Sequence, residues 1–126
     1  MTAKAPRRMA WRIMTSPQSQ SGDTLSRLEA TIAARRAADP ESSYVAKLNA
    51  SGLGKMSQKL GEEATETIIA ALAQGPKELI GESADLLFHL MVLLGAKGVP
   101  FADVLAELDR REGVSGIAEK ASRPKD

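Results

Sequence analysis

One stretch limits what this chain can fold into: residues 59–90, KLGEEATETIIAALAQGPKELIGESADLLFHL. Helical spacing runs up to Ala73 and resumes at Pro76, so two helices meet at the four-residue turn Ala73-Gln74-Gly75-Pro76. A turn this short predicts that the two arms pack antiparallel. Each arm carries a carboxylate pair at i,i+3, Glu63 with Glu66 and Glu82 with Asp85. That spacing puts both members of a pair on one helix face. At roughly 1.5 Å rise per residue, the four acids fall within about two turns of one another along the hairpin. Facing each other, they make a box of oxygen ligands. Like charges in a partly buried site repel strongly, and either protonation or a hard divalent cation relieves them. Mg²⁺ takes oxygen ligands, keeps several waters and accompanies phosphate chemistry. The hairpin is therefore a candidate Mg²⁺ site for a phosphorylated substrate.

The rest of the chain points to helices. Aromatics make up 3% of the residues, while Ala, Leu, Glu and Lys are plentiful. No segment sustains the period-2 alternation of a strand. The expected fold is all-α, an antiparallel bundle of four to five helices in one domain over 23–126. At 126 residues, such a chain is near the size where a second subunit helps. Cysteine is absent, which excludes disulfides, thiol nucleophiles and thiolate metal sites; a cytoplasmic protein fits. Residues 1–20 hold Lys4, Arg7, Arg8 and Arg12 with no acid, and the remainder has 13 basic against 16 acidic residues. The expected folded part lacks a nucleic-acid footprint. Residues 1–22 read as a disordered basic and polar extension without a secretory core.

From there the chain reads in order. Asp23 is the expected N-cap of a first helix with Leu25, Leu28, Ile32 and Ala33 inward, ending at Ala38-Asp39-Pro40. A short helical stretch through Val45 and Leu48 follows. Ser51-Gly52-Leu53-Gly54 breaks it. The second long helix, about Leu53–Ala73, has Leu53, Met56, Leu60, Ala64, Thr67 and Ala71 as its stripe, with Ile68 and Leu72 alongside. Lys55, Lys59, Glu62, Glu63 and Glu66 form a charged band beside that stripe. The third helix, about Pro76–Ala96, opens on a proline suited to the first helical position. Within it, LLFHLMVLL (86–94) is apolar except for His89. Nine residues are too few to span a bilayer, and a helix apolar on all sides is buried on all sides. That predicts packing across a twofold dimer interface. The fourth helix, about Phe101–Arg111, turns Phe101, Val104, Leu105 and Leu108 inward. A break at Gly113-Val114-Ser115-Gly116 leads to a polar tail.

The bland reading of the acids is a solvated face, with Lys59 paired to Glu63 at i,i+4. Against it, Glu82 and Asp85 enter the most apolar part of the chain. His89 lies one turn past Asp85 and is either a satisfied core histidine or a support for the acids. Lys55 and Lys59 are either solvated charges or contacts for phosphates held beside the metal. No glycine-rich phosphate loop is present. A helical dimerisation module without catalysis is the non-enzymatic reading.

The spacing Glu63-x-x-Glu66, then Glu82-x-x-Asp85, resembles the metal signature of the all-α nucleoside triphosphate pyrophosphohydrolases, the MazG-like superfamily. Three blocks narrow this: SYVAKLNASGLGKMSQKLGEEATETIIAA (43–71), ELIGESADLLFHLMVLL (78–94) and LAELDRREGVSGIAEKASR (105–123). Together they resemble the phosphoribosyl-ATP pyrophosphohydrolases of histidine biosynthesis, over about residues 23–123. The resemblance implies Mg²⁺-dependent hydrolysis of 1-(5-phosphoribosyl)-ATP to 1-(5-phosphoribosyl)-AMP and pyrophosphate, and a homodimeric or larger helical assembly. It implies that Glu63, Glu66, Glu82 and Asp85 ligate the metal. Glu62 or Glu63 is the expected base. Lys55, Lys59, Arg110, Arg111, Lys120 and Arg123 are the candidate phosphate contacts, with His89 in support. The alternative is a house-cleaning pyrophosphatase acting on another nucleoside triphosphate through the same acids.

Overall fold

The computed structural model describes residues 21–124. Six helices make up this part: α1 Ser21–Arg35, α2 Tyr44–Ser51, α3 Leu53–Ala73, α4 Pro76–Ala96, α5 Phe101–Arg111 and α6 Gly116–Ser122. The described residues contain no strand, as the absence of alternation predicts. The basic stretch 1–20 lies outside the described residues.

Local chemistry sets most boundaries. Ser43 caps α2, its hydroxyl accepting from the Ala46 N–H at 3.2 Å, which satisfies a donor that the helix itself leaves orphaned. Gly52 divides α2 from α3 at φ +91° and ψ 172°, a backbone region essentially reserved for glycine. Gln74 and Gly75 alone separate α3 from α4. The Gly75 N–H donates to Glu78 Oε1 at 3.1 Å, and Pro76 supplies the first helical residue. The α3–α4 hairpin is the most extensive helix pairing, and α1 and α2 pack onto it.

The core gathers Leu28 and Ile32 from α1, Val45 and Leu48 from α2, Met56 from α3, Phe88, Met91 and Val92 from α4, and Phe101 from α5. Residues Leu28/Ile32 and Phe88/Met91/Val92 are at helical spacing, so each helix offers one apolar stripe. By length and mean hydropathy (1.6), α4 would suffice to cross a membrane. It is instead the central helix of this bundle, with Glu82 and Asp85 buried within it.

Several expectations need correction. Helix α1 starts at Ser21, so Asp23 falls inside it rather than capping it, and Ser21 and Gly22 belong to the helix, not to the extension. Ala33 is exposed. The buried face of α3 is Met56, Glu63 and Ala70, spaced at seven-residue intervals. The expected stripe is thus displaced. Leu53, Ala71, Ile68 and Leu72 face outward, Leu72 at 83% exposure, because α4 covers the face that carries the acid. On α5 only Phe101 is buried and Val104 half-buried, while Leu105 and Leu108 are exposed. The tail after Gly113 forms a sixth helix, α6, capped by Ser115 Oγ accepting from the Ala118 N–H at 3.0 Å.

Candidate metal centre

Three of the four acids meet. One carboxylate oxygen from each of Glu63, Glu66 and Glu82 lies within 4.8 Å of the other two. Glu63 is wholly buried and Glu82 is 5% exposed, while Glu66 is half-buried. Antiparallel packing of α3 on α4 produces this directly, since the i,i+3 pair of one arm comes level with the acid of the other. Asp85 is one turn further along α4 and 1% exposed. It lies outside the group of three.

The donor set tests what the group suits. Its ligand atoms are all carboxylate oxygens, held close in a region removed from solvent, where like charges repel. A hard divalent cation such as Mg²⁺ matches both the atom type and the charge. Nitrogen or sulfur ligands for a softer metal are missing from the group. The residues therefore fit Mg²⁺.

Glu62 is next to Glu63 in sequence but differs from it in setting. It accepts from Gln58 Nε2 at 2.8 Å and from Lys59 Nζ at 2.9 Å. The Gln58 hydrogen bond first, then that of Lys59, hold its carboxyl down at about 2. Lys59 thus pairs with Glu62 at i,i+3 and not with Glu63 as expected. Lys55 is exposed one turn earlier. An open depression of about 620 Å³, lined by Gly61, Glu62, Thr65 and Glu66, lies on this flank of α3. It gives Glu66 an approach from solvent.

The C-terminal cations are occupied elsewhere. Arg110 Nη2 pairs with Glu107 Oε2 at 2.8 Å and Glu119 Oε1 at 2.9 Å. Arg111 Nε pairs with Glu107 Oε2 at 2.8 Å, and Arg123 Nε reaches Glu119 Oε2 at 3.4 Å. Hydrogen bonds from Arg110 and then Arg111 hold the Glu107 carboxyl down at about 2. Arg110, with desolvation opposing it and Arg123 assisting, lowers Glu119. Glu107, and then Glu119, push the Arg110 guanidinium above its already high range. Lys120 is exposed. Arg110, and Arg111 at 3.9 Å from Glu119 Oε2, thus join α5 to α6, while the Arg123–Glu119 pair lies within α6 and its cap. Sequence reasoning missed Glu119 as their hub; its i,i+4 relation to Arg123 was the available signal.

His89 is buried in α4. Its Nδ1 is 2.9 Å from the Asp85 carbonyl and its Nε2 is 3.0 Å from the Tyr44 hydroxyl. Tyr44 was not among the residues singled out from sequence, because nothing local links it to a residue 45 positions away.

The family model described as phosphoribosyl-ATP pyrophosphohydrolase matches residues 25–112, which span all of α2, α3, α4 and α5 and hence every acid of the group. The chain belongs to the phosphoribosyl-ATP pyrophosphohydrolase family. It is 73% identical over 104 residues to a phosphoribosyl-ATP pyrophosphatase of Novosphingobium aromaticivorans, covering 82% of this chain and 97% of that one. It is 72% identical over 102 residues to the protein so named from Rhizorhabdus wittichii, covering 81% and 96%. Against that of Zymomonas mobilis it is 58% identical over 105 residues, covering 83% and 98%. Members of the phosphoribosyl-ATP pyrophosphohydrolase family are hydrolases, and this chain is an enzyme of that class.

Proposed function

We propose that the chain hydrolyses 1-(5-phosphoribosyl)-ATP to 1-(5-phosphoribosyl)-AMP and pyrophosphate, the second step of histidine biosynthesis, as a soluble Mg²⁺-dependent homodimer of the cytoplasm. The convergence of Glu63, Glu66 and Glu82 within 4.8 Å carries this reading, together with relatives that bear the substrate in their name.

Glu63, Glu66, Glu82 and Asp85 would hold the cation. When bound, Mg²⁺ supplies charge neutralisation for phosphate oxygens and lowers the pKa of water. The chain's own part is to orient the triphosphate and to take a proton. A water oxygen attacks a phosphorus of the α–β anhydride, the bridging P–O bond breaks, and the electron pair leaves with pyrophosphate. The water's proton passes to a carboxylate. Between the two candidate bases, the geometry favours Glu63. Glu62 is held ionised by Gln58 and Lys59, and a carboxylate held that low is a poor proton acceptor near neutrality. Lys59 and Lys55, on the same helix as Glu63 and Glu66, would meet charge that develops on the leaving group.

The homodimer reading is supported by the apolar side chains left outside on the hairpin: Ile68, Ile69 and Leu72 on α3, Ile80 and Leu87 on α4. A monomer rarely exposes this many large apolar groups on one pair of helices. A second copy related by a twofold axis would cover them.

Resolving the products by chromatography tests the bond assignment. The expected products are phosphoribosyl-AMP and pyrophosphate. Orthophosphate with a diphosphate product would place cleavage at the β–γ bond and overturn the reading.

A further inference from the structure

The acid group stands on α3 and α4, and α2 reaches the part of α4 that follows it. Tyr44, the first residue of α2, follows the buried cap Ser43. Its ring stacks on Phe88 of α4, with centroids 6.0 Å apart and planes 20° from parallel. The His89 ring meets both edge-on, 5.8 Å from Tyr44 at 81° and 5.1 Å from Phe88 at 89°. Edge-to-face and offset contacts at these distances are favourable and directional, so the three rings fix one another.

The hydrogen bonds give this cluster a direction. A carbonyl oxygen only accepts, so His89 Nδ1 carries the hydrogen and donates to the Asp85 carbonyl at 2.9 Å. In the neutral ring Nε2 is then the acceptor, and the Tyr44 hydroxyl donates to it at 3.0 Å. The chain of donors runs Tyr44 to His89 to the Asp85 backbone. It ends on the peptide that carries one of the four acids, one turn from Glu82. Burial of His89 at 1% exposure excludes water as a ready substitute for either partner, and buried polar bonds of this kind are costly to leave unmade.

We infer that Tyr44 is a positioning residue for the acid group, acting through His89 to hold the turn of α4 that bears Asp85 in the place where it serves a divalent cation. This rests on the metal reading of the acids given above. A role confined to packing would require only the ring of Tyr44, which phenylalanine supplies. A positioning role requires the hydroxyl.

The test uses the full-length protein with Mn²⁺ alone as the probe, followed by electron paramagnetic resonance of free Mn²⁺, and thermal melting with and without the ion. Tyr44→Phe is expected to fold, to keep its helicity, and to bind Mn²⁺ about tenfold more weakly, the loss typical when a group orienting a metal ligand is removed. Its melting temperature should rise less on adding Mn²⁺ than that of the unaltered protein. His89→Gln retains a donor for the Asp85 carbonyl and an acceptor for Tyr44, so it should bind Mn²⁺ more tightly than His89→Leu. In the His89→Leu background, Tyr44→Phe should add no further loss, because the two act in series. Equal Mn²⁺ affinity in Tyr44→Phe and the unaltered protein, whatever the melting temperature, overturns the positioning role and leaves the acid site standing. Failure of the unaltered protein to bind Mn²⁺ overturns the metal reading itself, and the positioning role with it.

Discussion

At the scale of single residues, burial separates acids that sequence alone leaves level. Glu62 and Glu63 are neighbours, yet one is paired with Gln58 and Lys59 and the other is wholly enclosed. Their consequences differ. Glu66→Gln and Asp85→Asn should keep the helical circular dichroism of the unaltered protein and lose about 100-fold or more in turnover at saturating Mg²⁺, since losing a ligand costs at least as much as losing its support. Near-normal turnover in either would remove that residue from the ligand set. Glu62→Gln should cost far less, because its carboxylate is already committed to Lys59. The approach of Glu63, Glu66 and Glu82 was legible in the sequence because its logic is local, two acids on one face met by an acid across a short turn; Asp85, expected in the same box, stands outside the group of three. Tyr44 was not legible, because its partner is brought to it only by the docking of α2 on the hairpin. Arg110, Arg111 and Arg123 read as phosphate contacts in the sequence; that Arg110 and Arg111 instead meet Glu119 depends on α6 folding back on α5.

At the scale of elements, most boundaries follow from chemistry that the sequence displays. The α3 start, the two-residue turn, the α4 proline and the α5 limits all match the spacing of apolar residues and punctuators. The first helix started earlier than Asp23 suggested, and α6 was missed because Gly113 and Gly116 flank a cap, Ser115, that reads as loop. Gly52 marks one testable junction. With φ at +91°, Gly52→Ala should destabilise the fold by about 1–3 kcal/mol, measured by urea unfolding; an unchanged midpoint would show that the junction relaxes freely. The α5–α6 junction responds to pH. Glu119 of α6 has its carboxyl held below the ordinary carboxylate range, first by the hydrogen bond from Arg110 of α5. A group depressed in the folded state contributes fully above its unfolded value and loses that contribution as pH falls through the folded one. The protection of α6 amides against hydrogen exchange, taken relative to the intrinsic rate at each pH, should therefore hold above pH 4.5 and fall as pH drops below it, ahead of that in α3 and α4. Simultaneous loss in all three helices would show that α6 is held by something other than these ion pairs.

At the scale of the whole molecule, the described chain is a helical body whose apolar inventory is not finished by its own folding. Met56, Phe88, Met91, Val92 and the α1 and α2 residues make a closed core, whereas Leu72 and Ile80, at 83% and 71% exposure, do not join it. The apolar run 86–94, expected to pack across the subunit interface, leaves only Leu87 exposed; the uncovered side chains lie mostly elsewhere on the hairpin, because which side of each helix is left open depends on how α3 and α4 rotate to bury the acids. Sedimentation at micromolar concentration should give a dimer, and Ile80→Asp should shift it to monomer; a well-folded monomer of the unaltered protein would refute this use of the hairpin's outer face. The central claim is that the buried carboxylates of the α3–α4 hairpin serve Mg²⁺-dependent cleavage of one nucleotide. The most direct measurement is pyrophosphate release from phosphoribosyl-ATP, ATP and dUTP, each with Mg²⁺ and with chelator. Strong release from phosphoribosyl-ATP alone, abolished by chelator, is the expected result. Release from dUTP or ATP in preference to phosphoribosyl-ATP, or release indifferent to Mg²⁺, would contradict it.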